Sequence, residues 1–183
     1  MKYYDDILDK RFADKLYHDL LRSPWFADNI ANRKTFPYRE KGSHLLMGTN
    51  IYIRENDHIT RTSNLTPNFI GLFEHLCKYF NLNLYLIQIS ANLQFFGSDG
   101  TFHRDGEDNE QVFMLLLCNE ILDKKIGGQF INETRDSSVD FRHGRIIEFK
   151  ASDSHKGLAF NKPYIPRISV KFYTKKINEK SRR

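Results

Sequence analysis

The run Gly100-Thr101-Phe102-His103-Arg104-Asp105-Gly106 places an imidazole and a carboxylate two positions apart. On an extended strand, residues i and i+2 face the same side, so both side chains reach toward one point from a single rigid support. One further histidine from another strand would complete a set of two nitrogens and one oxygen on one face of a metal. Such a facial triad leaves coordination positions open and suits non-haem iron(II) and oxygen chemistry. Alone, the pair is a weak signal. The chain has 7 His and 23 Asp plus Glu in 183 residues, so composition predicts roughly 0.9 His-x-Asp/Glu pairs by chance, and one is found. Flanked by Gly100 and Gly106, the same run also reads as a surface turn. His18, His44, His58, His75 and His143 have no acidic residue two positions on and read as ordinary surface or core histidines.

The elements that must position this pair change texture near residue 84. Before it, Tyr4, Ile7, Leu8, Phe12, Leu16, Leu20 and Leu21 recur at helical spacing, and Ser23-Pro24 ends the run. Residues 25–43 are mixed and polar and read as loop. The stretches 44–47 and 50–53 look extended, and 54–63 reads as an exposed polar loop. A second helix is expected with Thr66 as N-cap and Pro67 at its first position. Its buried stripe would be Phe69, Ile70, Phe73, Leu76, Cys77 and Phe80. From 84 on, short extended runs alternate with Gly, Asp and Asn clusters: 84–90, 93–96, 111–118, 129–132, 145–150, 157–160 and 167–173. Short strands separated by turn signals predict a sandwich, barrel or jelly roll. The expected class is α+β, mainly β, in a single domain spanning 1–183. Residues 1–83 would supply helical support and a substrate loop, 84–174 the β core, and 175–183 a basic tail.

The order of parts after the His-x-Asp pair is more specific than the pair. A β run, Gln111–Cys118, is followed by Gly127-Gly128-Gln129-Phe130, a glycine turn feeding a strand. Gly144-Arg145-Ile146-Ile147-Glu148-Phe149 is a second glycine-led strand, and Asp153-Ser154-His155 comes next. Pro166-Arg167-Ile168-Ser169-Val170-Lys171-Phe172 is a strand opening on an arginine. This order resembles the 2-oxoglutarate/Fe(II)-dependent oxygenases, most closely their prolyl-4-hydroxylase-like branch, over residues 84–174. The resemblance implies a double-stranded β-helix (jelly roll) with N-terminal supporting helices. It also implies that His103, Asp105 and His155 bind Fe(II) and that Arg167 pairs with the distal carboxylate of 2-oxoglutarate. A planar guanidinium meets a carboxylate through two parallel hydrogen bonds and stays charged when buried. O2 would be the second co-substrate, succinate the co-product and a hydroxylated C–H bond the outcome, with ascorbate as an optional accessory reductant.

The sequence also departs from the family pattern. Prolyl hydroxylases often bind the co-substrate with a Tyr on the strand after the first ligands, where this chain has Leu115-Leu116-Leu117. Arg167 lies slightly farther after His155 than is usual, with Asn161-Lys162-Pro163 as an extra loop. That makes Lys162 a rival, although Arg167 begins a strand whose alternation fixes its direction. Gln94 and Phe96 are expected to line the pocket.

Composition narrows the function classes. At 40% hydrophobic with 15 Phe and 9 Tyr, the chain is globular in kind. The net charge of +5 owes much to Lys175, Lys176, Lys180, Arg182 and Arg183, which read as a solvated tail. Cys77 and Cys118 lie in apolar runs with no CxxC pattern, so thiolate zinc sites and redox motifs are unsupported. No apolar run approaches the roughly 20 residues that span a bilayer, and the N-terminus does not read as a signal peptide. The expectation is therefore a cytoplasmic protein with no membrane partner. The first expected substrate is a prolyl residue in a protein or peptide, with loop 54–63 folding over it. A nucleic-acid substrate ranks behind, because the repair dealkylases of this superfamily carry a second Arg six residues after the co-substrate Arg and this chain has Tyr173 there. A free amino acid or small metabolite is a further alternative. From other classes come a non-enzymatic jelly-roll binding module and a zinc hydrolase, neither of which needs Arg167.

Overall fold

The computed structural model describes residues 1–29, 46–118 and 126–177. Most of the expected loop 25–43, the start of the extended run at 44–47 and the end of the basic tail fall outside them. The described elements run β1 (Lys2–Tyr4), α1 (Lys10–Leu21), β2 (Phe26–Asn29), β3 (Leu46–Glu55), β4 (His58–Thr62), α2 (Thr66–Tyr79) and β5 (Leu84–Gln94). They continue with β6 (Glu110–Leu117), β7 (Phe130–Asn132), β8 (Ser137–Val139), β9 (Ile146–Lys150), β10 (His155–Gly157) and β11 (Arg167–Lys176). Two antiparallel sheets result. The large one has the order β1-β9-β6-β11-β5-β3-β2, with β4 paired to β3, and the small one the order β10-β7-β8. The expected mainly-β jelly roll with helical support is what the chain forms.

Alternation along the central strands divides the large sheet into two faces. Ile89, Ala91 and Leu93 of β5, Phe113, Leu115 and Leu117 of β6, and Ile168, Val170 and Phe172 of β11 share one buried cluster with α1 and α2. Val112, Met114 and Leu116 point the other way and pack with Phe130, Val139, Ile147 and Phe149, closing the small sheet onto the large one. Strand β6 is thus covered on both sides, which is why it reads as an unbroken apolar run. On the same inner face, β5 and β11 carry Gln88, Ser90, Asn92, Gln94, Arg167, Ser169, Lys171 and Tyr173, in register with one another. That polar half faces the site.

Local chemistry sets the helix ends. The Asp9 carboxylate accepts from the backbone N–H groups of Arg11 (2.9 Å) and Phe12 (3.3 Å), which starts α1 at Lys10. The first helix is therefore shorter than expected, and Tyr4 belongs to a strand paired with β9. Pro67 sits in the first turn of α2 as expected, but the cap position is Leu65. Thr66 is instead the first helical residue. Its hydroxyl donates to the Ile51 carbonyl (2.6 Å) and accepts from Ser63 N–H (2.9 Å), tying α2 to β3. Of the expected stripe, Phe69, Phe73 and Leu76 are buried together with Leu72, while Ile70, Cys77 and Phe80 are half-buried.

Three strand expectations need correction. Residues 54–63 are no loop, because β3 and β4 form a hairpin turning at Asn56 and Asp57, both at positive φ (48° and 65°), as a tight two-residue hairpin turn requires. Runs 84–90 and 93–96 are one strand ending at Gln94, with Phe96 outside it. The expected strand 157–160 is β10 at 155–157, after which only an isolated bridge joins Phe160 to Gly127. No helix among the described residues is long and apolar enough to cross a membrane.

Candidate metal centre

His103 and His155 are direct backbone partners. The His103 N–H donates to the His155 carbonyl (3.0 Å) and the His155 N–H to the His103 carbonyl (2.9 Å). Opposed residues of an antiparallel pair point to the same side, and the two rings lie 4.5 Å apart. Asp105 follows on the same segment, held by its own N–H donating to the Ala151 carbonyl (2.8 Å). Gly106 comes next because a side chain there would meet the Tyr173 hydroxyl and the Glu110 carboxylate, which are hydrogen-bonded to each other. One donor atom from each of His103, Asp105 and His155 lies within 4.8 Å of the others. The three residues that the sequence singled out are thus brought together.

The outer hydrogen bonds decide which nitrogen faces inward. His103 Nδ1 lies 2.8 Å from the Thr101 carbonyl, and His155 Nδ1 lies 2.8 Å from the Asp153 carbonyl. A carbonyl oxygen only accepts, so in the neutral rings both Nδ1 atoms carry the proton and both Nε2 atoms keep a lone pair. This is how metal-binding histidines are oriented. His155 Nε2 and Asp105 Oδ2 then face each other at 3.4 Å with no proton between them. Both atoms are buried and lack a hydrogen-bond partner. Buried polar atoms are ordinarily satisfied, so two lone-pair carriers left facing each other fit a cation between them. His155 is further fixed between the Phe130 and Phe149 rings, at 5.2 and 4.6 Å.

The charges agree with that fit. Burial, reinforced by the neighbouring His155, pushes His103 down to about 4, so its ring is neutral at physiological pH. Burial would raise Asp105, but the Lys171 ammonium outweighs it and holds the carboxyl well below its usual range. Lys171 Nζ donates to Asp105 Oδ1 (2.6 Å) and leaves Oδ2 free to face His155. Sequence reasoning missed Lys171, although strand alternation from Arg167 places it on the same face, two inward positions on.

Arg167 is buried at the start of β11, paired in register with Gln94. Its Nε donates to the Gly128 carbonyl (3.1 Å) and its Nη1 to Gln94 Oε1 (2.7 Å), while Nη2 is buried with no partner. Burial pushes its pKa down to about 10, with Asp99 opposing. Gly128 has φ +77°, and a side chain there would strike the Phe160 ring. The expected Gly-Gly turn therefore also presents an acceptor to Arg167. Gln94, as expected, lines a small interior cavity of about 50 Å³ together with Asn92, His103, Asp105, His155 and Lys171. Arg167 does not line that cavity itself and stands directly behind Gln94 and Gly157, which do. Phe96 is 58% exposed and does not line it, and Lys162 is exposed on the connection before β11. On β6, Met114 lines this cavity, and of Leu115-Leu116-Leu117 only Leu116 shares its face. A second cleft of about 650 Å³ opens from His103 and Asp105 along β3, β4 and β5.

No family model matches the sequence, and no curated protein matches it either. Solved structures do match. A 2OG-Fe(II) oxygenase-family oxidoreductase from Burkholderia pseudomallei superposes with a TM-score of 0.68 at 14% identity, covering 96% of this chain and 85% of that one. The chain shares the 2OG-Fe(II) oxygenase fold. A Trichoplax adhaerens prolyl hydroxylase, solved with a hypoxia-inducible-factor peptide, gives 0.66 at 12% identity over 96% of this chain and 83% of that one. A Pseudomonas putida prolyl-4-hydroxylase gives 0.61 at 14% identity over 97% and 92%. Within this oxygenase fold, the clustered donors and the buried arginine lie inside the jelly roll, between its two sheets.

Proposed function

We propose that the chain is a single-domain Fe(II)- and 2-oxoglutarate-dependent hydroxylase. His103 Nε2, Asp105 Oδ2 and His155 Nε2 hold the metal, and Arg167 holds the distal carboxylate of the co-substrate. The observation that carries this reading is that three of the buried side-chain atoms without partners among the described residues gather at this site: Asp105 Oδ2, His155 Nε2 and Arg167 Nη2. Two of them suit a cation and the third an oxyanion. A zinc hydrolase would account for the first two but leave Arg167 Nη2 unexplained, and a binding module would account for none.

When bound, the metal and 2-oxoglutarate supply oxygen activation coupled to decarboxylation to succinate and hydroxylation of a substrate C–H bond. The chain's own residues do the positioning. The Thr101 and Asp153 carbonyls fix the imidazole tautomers, Lys171 fixes the carboxylate, and Gln94 and the Gly128 carbonyl aim the guanidinium. Phe130, Phe149 and Met114 keep water from one side. A prolyl residue of a protein or peptide is the substrate class we propose, on the strength of the prolyl-hydroxylase-like motif order and of the fold shared with two prolyl hydroxylases.

The test is iron-dependent release of succinate from 2-oxoglutarate by the purified chain under air, against a His103→Ala control. Succinate above that control is expected. If there is none, and 2-oxoglutarate fails to bind the metal-loaded chain, the hydroxylase reading is lost.

A further inference from the structure

We infer that the 650 Å³ cleft beside the candidate metal centre selects a substrate that carries a carboxylate, with Arg61 and Arg104 as its anchors. The inference rests on the hydroxylase reading and adds the substrate's chemistry. The cleft lies on the polar half of the sheet's inner face. Asn50, Gln88, Ser90 and Asn92 form its floor, while Phe26 and Leu46 are its apolar side-chain contributions. Gln88 Nε2 donates to Asn50 Oδ1 (2.9 Å), which fixes these two floor amides in one orientation. Such a surface binds hydrogen-bonding groups well and a bare hydrocarbon ring poorly, because polar groups covered without partners cost free energy.

Charge narrows the class. The lining holds three cations, Arg61, Arg104 and Lys171, and one carboxylate, Asp105. Lys171 and Asp105 are already paired at 2.6 Å. Arg61 and Arg104 form no ion pair among the described residues, and both are exposed to whatever enters. A divalent metal at the triad would add further positive charge. A low-dielectric cleft lined by one sign of charge concentrates ligands of the other sign. Guanidinium groups also meet an oxyanion through paired hydrogen bonds. The anion is a carboxylate and not a nucleic-acid backbone. Phosphate-backbone binding relies on neutralising many phosphates at once, and this cleft offers two unpaired cations. Phosphate sites are also commonly built at helix N-termini, and here both helices pack on the opposite face of the sheet. The carboxylate can come from a free acidic amino acid or from an Asp or Glu side chain near the reacting residue of a peptide.

The experiment compares matched ligands on the full chain. Free glutamate against glutaminamide, which carries no carboxylate, and a blocked Gly-Glu-Pro-Glu-Gly peptide against its Gln counterpart, are titrated calorimetrically into the Mn(II)- and 2-oxoglutarate-loaded protein. Succinate release with Fe(II) is measured in parallel. At least one acidic ligand is expected to bind about tenfold or more tightly than its amide partner. That ratio should fall to about one in Arg61→Gln/Arg104→Gln and shrink with added salt. A preference for the free amino acid or for the peptide identifies the source of the carboxylate. Equal binding of acid and amide, a ratio unmoved by the double substitution, or no binding of either acidic ligand overturns the inference. Succinate release without any added ligand tests the hydroxylase reading separately, so failure of one is told apart from failure of the other.

Discussion

At the scale of residues, the burial that arranges the donors also makes them sensitive to pH. His103 is held at about 4 in the fold, against about 6.5 in an unfolded chain. Between those values the unfolded state binds a proton that the folded state does not. Stability of the metal-free protein should therefore be full above about pH 6.5 and decline as the pH falls toward 4, by up to about 2–3 kcal/mol from this group. His143, also lowered by burial, adds a contribution of the same sign. Urea midpoints across that range would show the decline, and His103→Asn should flatten it. Arg167→Ala should weaken 2-oxoglutarate binding by about 2–4 kcal/mol, the worth of a charge-assisted paired contact. Calorimetry on the metal-loaded chain reads this directly, and an unchanged affinity would return the role to Lys162. The motif His103-x-Asp105 and the strand-opening Arg167 were legible through the order of glycine turns and strands that follows the pair and resembles a known family, since the pair alone is expected by chance. Lys171 was overlooked although alternation from Arg167 turns it inward, because the Asp105 carboxylate it meets lies on a distant segment.

At the scale of elements, ends and turns carry separable amounts of stability. Asp9 caps α1 with two backbone hydrogen bonds, so Asp9→Ala should cost about 1 kcal/mol. Because α1 packs on the sheet face away from the donors, thermal denaturation should record that loss while affinity for 2-oxoglutarate stays at the parent value. The hairpin of β3 and β4 shows why one element was read as loop. All five residues of β4 are exposed, so there is no apolar alternation to find, and the only signal is Asn56-Asp57, which accepts positive φ. β1, β2 and β8 are three or four residues long, too short for a period to register. Thr66 had the right type for a cap, but its hydroxyl oxygen accepts from the Ser63 N–H rather than from an N–H of the helix's first turn.

At the scale of the molecule, a helical layer packed on a mainly-β core was legible from the two periodicities, but the β core is not confined to residues after 84, since β1–β4 join the large sheet. The pairing of the N-terminal strand with β9 was not legible. It joins segments from opposite ends of the chain through Tyr4 OH donating to Glu148 (2.5 Å) and Arg145 gripping both oxygens of Asp5 (2.7 and 2.8 Å). Periodicity reports which face of an element is apolar, not which distant element it meets. The continuous run in β6 was legible as a strand, yet its cause, a core on each side, needs both sheets to be seen.

The reciprocal backbone bridge between His103 and His155 ties the front of the site to the back. An ion seated on both imidazoles would act as a latch on that bridge, because opening the strands would mean surrendering two bonds to the metal. Deuterium uptake at these two amides should therefore speed up by about tenfold or more when a chelator strips the metal, while Ile89 and Val170 keep their protection. Iron scarcity would then be felt first as a loosened seam between the sheets, where a protease or an aggregating neighbour finds its opening.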